Sequence, residues 1–196
     1  MGGRSSAYNP ASLVCVCRLD DYQQKGIPCL LESIAAERQI RPELSLDLIG
    51  PCSPRNATAI TRIVASLGLA GAIALLGPMT RQQVMERLHG YAGLVMLGER
   101  ETFGLVYAEA AVCGVPFVFL RNSGVDGHHF ANVCGIGCDR MDVPTVRAAV
   151  RELLEQAPEI RRRIVAARGA GLLHTLTAAG QSKSYVQAVL STLNLP

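Results

Sequence analysis

Glu101 and Glu109 stand eight positions apart in "ERETFGLVYAEA", the first on what reads as a loop tip and the second on the helix that follows. Two carboxylates so spaced could act as acid and base. They could equally bind hydroxyls, because an ionised carboxylate offers two acceptor oxygens to a cis-diol. Periodicity places Leu105, Ala108 and Val112 on a core-facing stripe with Glu109 on or beside it, and a carboxylate there is costly to bury unless something hydrogen-bonds it. A ligand's hydroxyl pair would satisfy it; so would solvent or a neighbouring arginine at the edge of the stripe. For Glu101 the ordinary alternative is a charged loop residue with no special role. Upstream, "CRLDDYQQKG" holds Arg18 and Lys25, the latter one of only two lysines in the chain. A pair of cations beside a helix N-terminus could hold phosphates, against the alternative of exposed loop side chains.

The elements that would position these residues alternate almost from end to end. Strands are predicted at 12–17, 44–50, 72–77, 93–97, 116–120 and 135–138. Helices are predicted at 27–38, 57–68, 81–90 and 104–114, with a short one around 129–133. Strand, helix, strand at this spacing implies right-handed crossovers and a doubly wound, Rossmann-like α/β fold, with a parallel sheet covered on both faces. A helical C-terminal tail follows, read as three segments, 143–156, 158–171 and 184–195, separated by Pro and Gly. Ligands of such sheets bind in loops beyond the carboxyl ends of the strands. The loops concerned are 18–25, 50–55, 77–80, 98–103 and 121–128. None carries GxGxxG or GxxxxGK[ST], which sets aside the commonest dinucleotide and P-loop sites.

Composition narrows the class. A chain of 196 residues, 49% hydrophobic, is the size of one domain, so residues 1–196 are read as a single unit. Its longest apolar run, "ASLGLAGAIALLGPM", is broken by glycines and a proline, so no transmembrane segment is expected, and the polar start "MGGRSSAYNP" points to a cytoplasmic protein. The net charge of +3 is scattered, too weak for a nucleic-acid partner; the run Arg161 to Arg163 is expected on a solvated helix face. Seven cysteines without paired CxxC clusters argue against a disulfide framework and a zinc site. Cys15, Cys17 and Cys113 read as reduced core thiols, and Cys134 and Cys138, separated by glycines, make a poor metal pair.

The string "ETFGLVYAEAAVCGVP" closely resembles the E-x7-E signature of the retaining GT-B glycosyltransferases of the family 4, group 1 type. "CRLDDYQQKG" is similar to that family's G-R-L…K-G segment, and "CGIGCDRMDVPTVRAAV" to its region after the last strand. The resemblance covers Leu13 to Glu155 and implies the C-terminal, donor-binding domain of such an enzyme. It implies Arg18 and Lys25 on the donor's diphosphate, Glu109 on the ribose and Glu101 beside the transferred sugar. Amides at Phe103, Gly104 and Leu105 would face sugar or phosphate, and the loop from Gly77 and Pro78 to Thr80 would receive the base. The implied reaction moves a glycosyl group from a UDP-, GDP- or ADP-sugar to an acceptor hydroxyl with retention. No DxD-like motif is visible and no cofactor or metal is expected, so Arg18, Lys25 and the helix start would neutralise the leaving diphosphate.

The chain also departs from the family pattern. Gly98 and Glu99 stand where Pro-Ser is usual, and "SGVDG", Ser123 to Gly127, replaces G-G-x-P-E. Asp126 could replace the missing carboxylate or simply form a turn; His128 and His129 could approach the site or cap the next helix. Nothing corresponds to the acceptor-binding N-terminal domain. The chain is therefore expected to be a fragment or one subunit of a transferase, nearly inactive alone, meeting a glycan, lipid or small-molecule acceptor through that domain and reaching the inner membrane only through the rest of the enzyme. A non-catalytic nucleotide-sugar-binding module is the alternative. An unrelated α/β reductase or methyltransferase is disfavoured by the lack of a glycine fingerprint after the first strand.

Overall fold

The computed structural model describes residues 8–98, 104–173 and 176. Six parallel strands form one sheet in the order β3-β2-β1-β4-β5-β6. They are β1 (Asn9–Val16), β2 (Ser45–Ile49), β3 (Ile73–Gly77), β4 (Tyr91–Val95), β5 (Phe117–Leu120) and β6 (Gly135–Cys138). The helices are α1 (Ile27–Arg38), α2 (Pro54–Ser66), α3 (Arg81–Leu88), α4 (Leu105–Val112), α5 (His129–Cys134) and α6 (Val143–Gly169). Helix α1 packs on α2 and α6, whereas α4 packs on α3 and α5, so the predicted doubly wound, two-faced cover is present. Sequence order reverses between β1 and β4, which opens a crevice at their carboxyl ends.

Local chemistry sets the boundaries. Helix α2 begins at Pro54 because Ser53 accepts from the Asn56 amide; α3 begins with a reciprocal Thr80 and Gln83 capping box; Asp142 caps α6 through the Thr145 amide at 2.9 Å. All five residues of β2 are buried, as a strand covered on both faces requires. Its one charged member, Asp47, accepts from the buried Tyr91 hydroxyl at 2.7 Å, and burial first, then this carboxylate, push the Tyr91 pKa well up.

The tail differs from expectation. The predicted segments 143–156 and 158–171 are one helix of 27 residues, with Pro158 inside it. Its apolar stripe, Leu153, Ala157, Ile160, Ile164 and Ala167, continues across the proline and is buried, so burial outweighs the missing N–H. The third predicted segment, 184–195, lies outside the described residues.

Helix α6 is fastened to α1 by one carboxylate. Glu37 is 0% exposed and accepts from Arg147 at 3.0 Å, Arg151 at 2.9 Å and Arg41 at 3.2 Å. Burial pushes its pKa up, but Arg151, Arg147 and Arg41 outweigh that and hold the carboxyl below its ordinary value. Arg161 is another departure: it is not on a solvated face but half-buried, donating to the Gly114 carbonyl at 3.1 Å and the Tyr91 carbonyl at 2.5 Å. It closes acceptors at the end of α4 and the start of β4 that no backbone partner reaches from α6. Arg162, by contrast, is exposed and pairs with Glu159.

Candidate functional site

The site is built from loops at the carboxyl ends of the strands, and hydrogen bonds join three of them. Past β1, the Cys17 amide donates to the Ile49 carbonyl at 3.0 Å and the Leu19 amide to the Pro51 carbonyl at 2.9 Å. The Gly50 amide donates to the Gly77 carbonyl at 2.9 Å. Asp20 accepts at Oδ1 from the Ser53 amide at 2.8 Å and the Asn56 side chain at 2.9 Å. These donors hold the Asp20 pKa below its ordinary value. Gly50 is required here: at φ +145° its Cβ position would stand 1.8 Å from the Cys17 carbonyl oxygen.

This knitting fixes the loop that carries Arg18 and Lys25. Arg18 is exposed, 3.8 Å from Asp21, and Lys25 is half-buried with its amide donating to the Asp21 carbonyl at 3.0 Å. Gly26, at φ +67°, then starts α1 against Leu97 and Met141, too close for any side chain. Two cations thus stand at the end of β1, beside the crevice.

Across the crevice, α4 starts at Leu105 after Gly104, which takes φ +63° as its N-cap. The first turn of α4 presents amides to that space. Glu101 and Phe103 lie outside the described residues, as does Glu99. Leu105 is not on the buried stripe but 66% exposed, because α4 lies between α3 and α5 and buries Tyr107, Ala108, Ala110 and Ala111 instead. Val112 is half-buried.

Glu109 is nearly buried, with 11% of its side chain exposed, and its Oε1 accepts from Arg81 Nε at 2.7 Å. Of the alternatives open in the sequence, the structure shows a neighbouring arginine as the partner. Because Arg81 opens α3 directly after the loop from Gly77 and Pro78 to Thr80, this bond places the Glu109 carboxylate beside the expected base loop. Arg81 and Asp20 escaped sequence reading. The signal for Arg81 was its position one residue past that loop, and for Asp20 its place between Arg18 and Lys25.

The loop after β5 has its own order. Asp126 accepts from the Asn122 amide at 2.7 Å and from the Gly127 amide at 3.0 Å, so it is the turn-former. The Ser123 hydroxyl, 8% exposed, has no protein partner among the described residues. His128 precedes α5 as its N-cap with its ring against Phe130, and His129 is exposed.

None of the seven cysteines is in a disulfide. The Cys15 thiol hydrogen-bonds Cys17 at 3.9 Å, and that bond, with burial, raises its pKa. Burial pushes Cys134 up to about 12. Such thiols are poor nucleophiles at neutral pH. Among the described residues no group of three or more His, Cys, Asp or Glu could hold a metal, and no helix is long and apolar enough to cross a membrane.

Comparison with known proteins bears on the family and the fold. Glycogen synthase of Mycobacterium tuberculosis (strain ATCC 25618 / H37Rv) is 27% identical over 159 residues, covering 81% of this chain and 37% of that protein. Crystallised WaaG, a glycosyltransferase involved in lipopolysaccharide biosynthesis, superposes with a TM-score of 0.69 at 21% identity over 88% of this chain and 45% of its own. Anabaena Alr3699/HepE, crystallised with UDP, gives 0.71 at 18% identity over 91% and 49%. The chain spans under half the length of these three. The family model described as glycosyl transferases group 1 matches residues 6–169, and the chain belongs to that family, with the Rossmann-like domain of its GT-B members.

Proposed function

We propose that this domain binds a nucleoside diphosphate sugar for a retaining glycosyl transfer to an acceptor hydroxyl. The observation that carries the reading is the near-buried Glu109 carboxylate, hydrogen-bonded to Arg81 one residue past the loop from Gly77 to Thr80; Arg18 and Lys25 follow β1 and α4 follows β4, the two strands between which the order reverses. In this assignment Glu109 receives the ribose diol. Arg18 and Lys25 grip the diphosphate, and the α4 amides at Gly104 and Leu105 face phosphate or sugar. Gly77 and Pro78 support the base through the backbone. Glu101, outside the described residues, is assigned to the transferred sugar on the resemblance alone. As the glycosidic C–O bond breaks, negative charge grows on the diphosphate; the chain's own cations and helix amides stabilise it without having to reorganise. UDP in the related HepE structure makes UDP the first probe.

Calorimetric titration with UDP, GDP and ADP tests the assignment. Binding of at least one is expected, weakened about tenfold or more in Lys25→Ala by loss of a charge-assisted contact. Glu109→Ala should weaken it likewise, with circular dichroism unchanged in both variants. Absence of binding to all three nucleotides would overturn the proposal.

A further inference from the structure

The two partners in the Arg81 and Glu109 pair are unlike. The arginine side chain is 73% exposed, whereas the glutamate side chain is 11% exposed. The carboxylate therefore obtains the hydrogen bond its near-burial demands from a group that solvent can take back at small cost. A ribose cis-diol would use both carboxylate oxygens, and Oε1 is already engaged at 2.7 Å. We propose that Arg81 is a placeholder on the ribose carboxylate: it keeps Glu109 satisfied and aimed at the base loop until the ribose hydroxyls displace it. The inference rests on the assignment of Glu109 to ribose.

The surroundings permit the exchange. Arg81 lines an open groove of about 660 Å³ beside α3, shared with Met85, His89 and Cys113, into which a released side chain can move. The start of α3 is fixed by Thr80 and Gln83, not by the Arg81 side chain, so the arginine can leave without unwinding the helix. Arg81 is thus a positioning residue, and its consequence is a brake on ribose selectivity. A full diol must displace it, whereas a sugar with one hydroxyl can use Oε2 and leave it in place.

The test compares wild type with Arg81→Gln and Arg81→Lys. Each is titrated at one ionic strength with whichever of UDP, GDP or ADP binds wild type most tightly, and with the 2′-deoxy counterpart. The ribo-to-deoxyribo affinity ratio is expected to rise about two- to fivefold in Arg81→Gln, the range that an exposed ion pair can withhold. Arg81→Lys, cationic but without the planar fork, should fall between. Loss of general attraction for the diphosphate acts on both nucleotides alike and cancels in the ratio. A ratio unchanged or lowered in Arg81→Gln overturns the placeholder role. Failure of wild type to bind any of the three nucleotides overturns the ribose assignment itself.

Discussion

Replacing Glu37 with glutamine tests what holds α6 to α1. The substitution keeps the shape and removes the charge, leaving Arg41, Arg147 and Arg151 facing a neutral amide. Removing one partner from a buried charge network costs about 3–5 kcal/mol. The three arginine side chains are 33–39% exposed and can partly rehydrate, so the lower end applies, about 3 kcal/mol. For a domain of this size that lowers Tm by roughly 6–12 °C. The pH dependence carries a sign. The folded pKa of Glu37 is depressed below its ordinary 4.5, so the network's stabilisation is fully present above that value and is lost as pH falls through the folded pKa. Urea denaturation at several pH values from 7 down to 3 should show the wild-type advantage over Glu37→Gln shrinking in the acid limb. A glutamine variant within about 1 kcal/mol of wild type at pH 7, or two curves that stay parallel through the acid limb, would refute the network's role.

Gly50→Ala forces a Cβ into the Cys17 carbonyl at a backbone conformation L residues avoid, and should cost about 3 kcal/mol or more, read as a Tm loss in calorimetry. Pro158→Ala restores an N–H inside a continuous helix and should stabilise the domain by about 1–3 kcal/mol in urea denaturation.

The strands and crossovers were legible because fully buried parallel strands announce themselves as short apolar runs, as "LSLDLIG" does; the Ser53 cap was missed, and α2 starts at Pro54, not at 57. Pro158 misled because a local breaker lost to an apolar stripe whose worth depends on what packs against it. Leu105 misled because a short helix covered by neighbours on two sides buries small residues, and its N-terminal leucine falls beyond them. Arg161 read as one of a solvated run, yet its acceptors, the carbonyls of Tyr91 and Gly114, are distant in sequence. The same holds for the arginines on Glu37, Arg147 lying 110 residues away and Arg151 114. At the candidate site, the near-burial of Glu109 was legible from helical spacing; the Arg81 bond was not, since nothing in a strand-loop-helix pattern says which side chain crosses from one helix to the next.

The hydrogen bonds that join the loops after β1, β2 and β3 also bear on engineering. Gly50 to Gly77, Leu19 to Pro51 and Asp20 to Ser53 make these three segments one inheritable unit. A chimera that swaps only residues 77–81 for a relative's keeps the Gly50 amide in place, but satisfies it only if the donated loop sets a carbonyl where that of Gly77 stands. Loop grafting at this end of the sheet preserves these bonds most surely when residues 17–20, 49–56 and 77–81 are exchanged together.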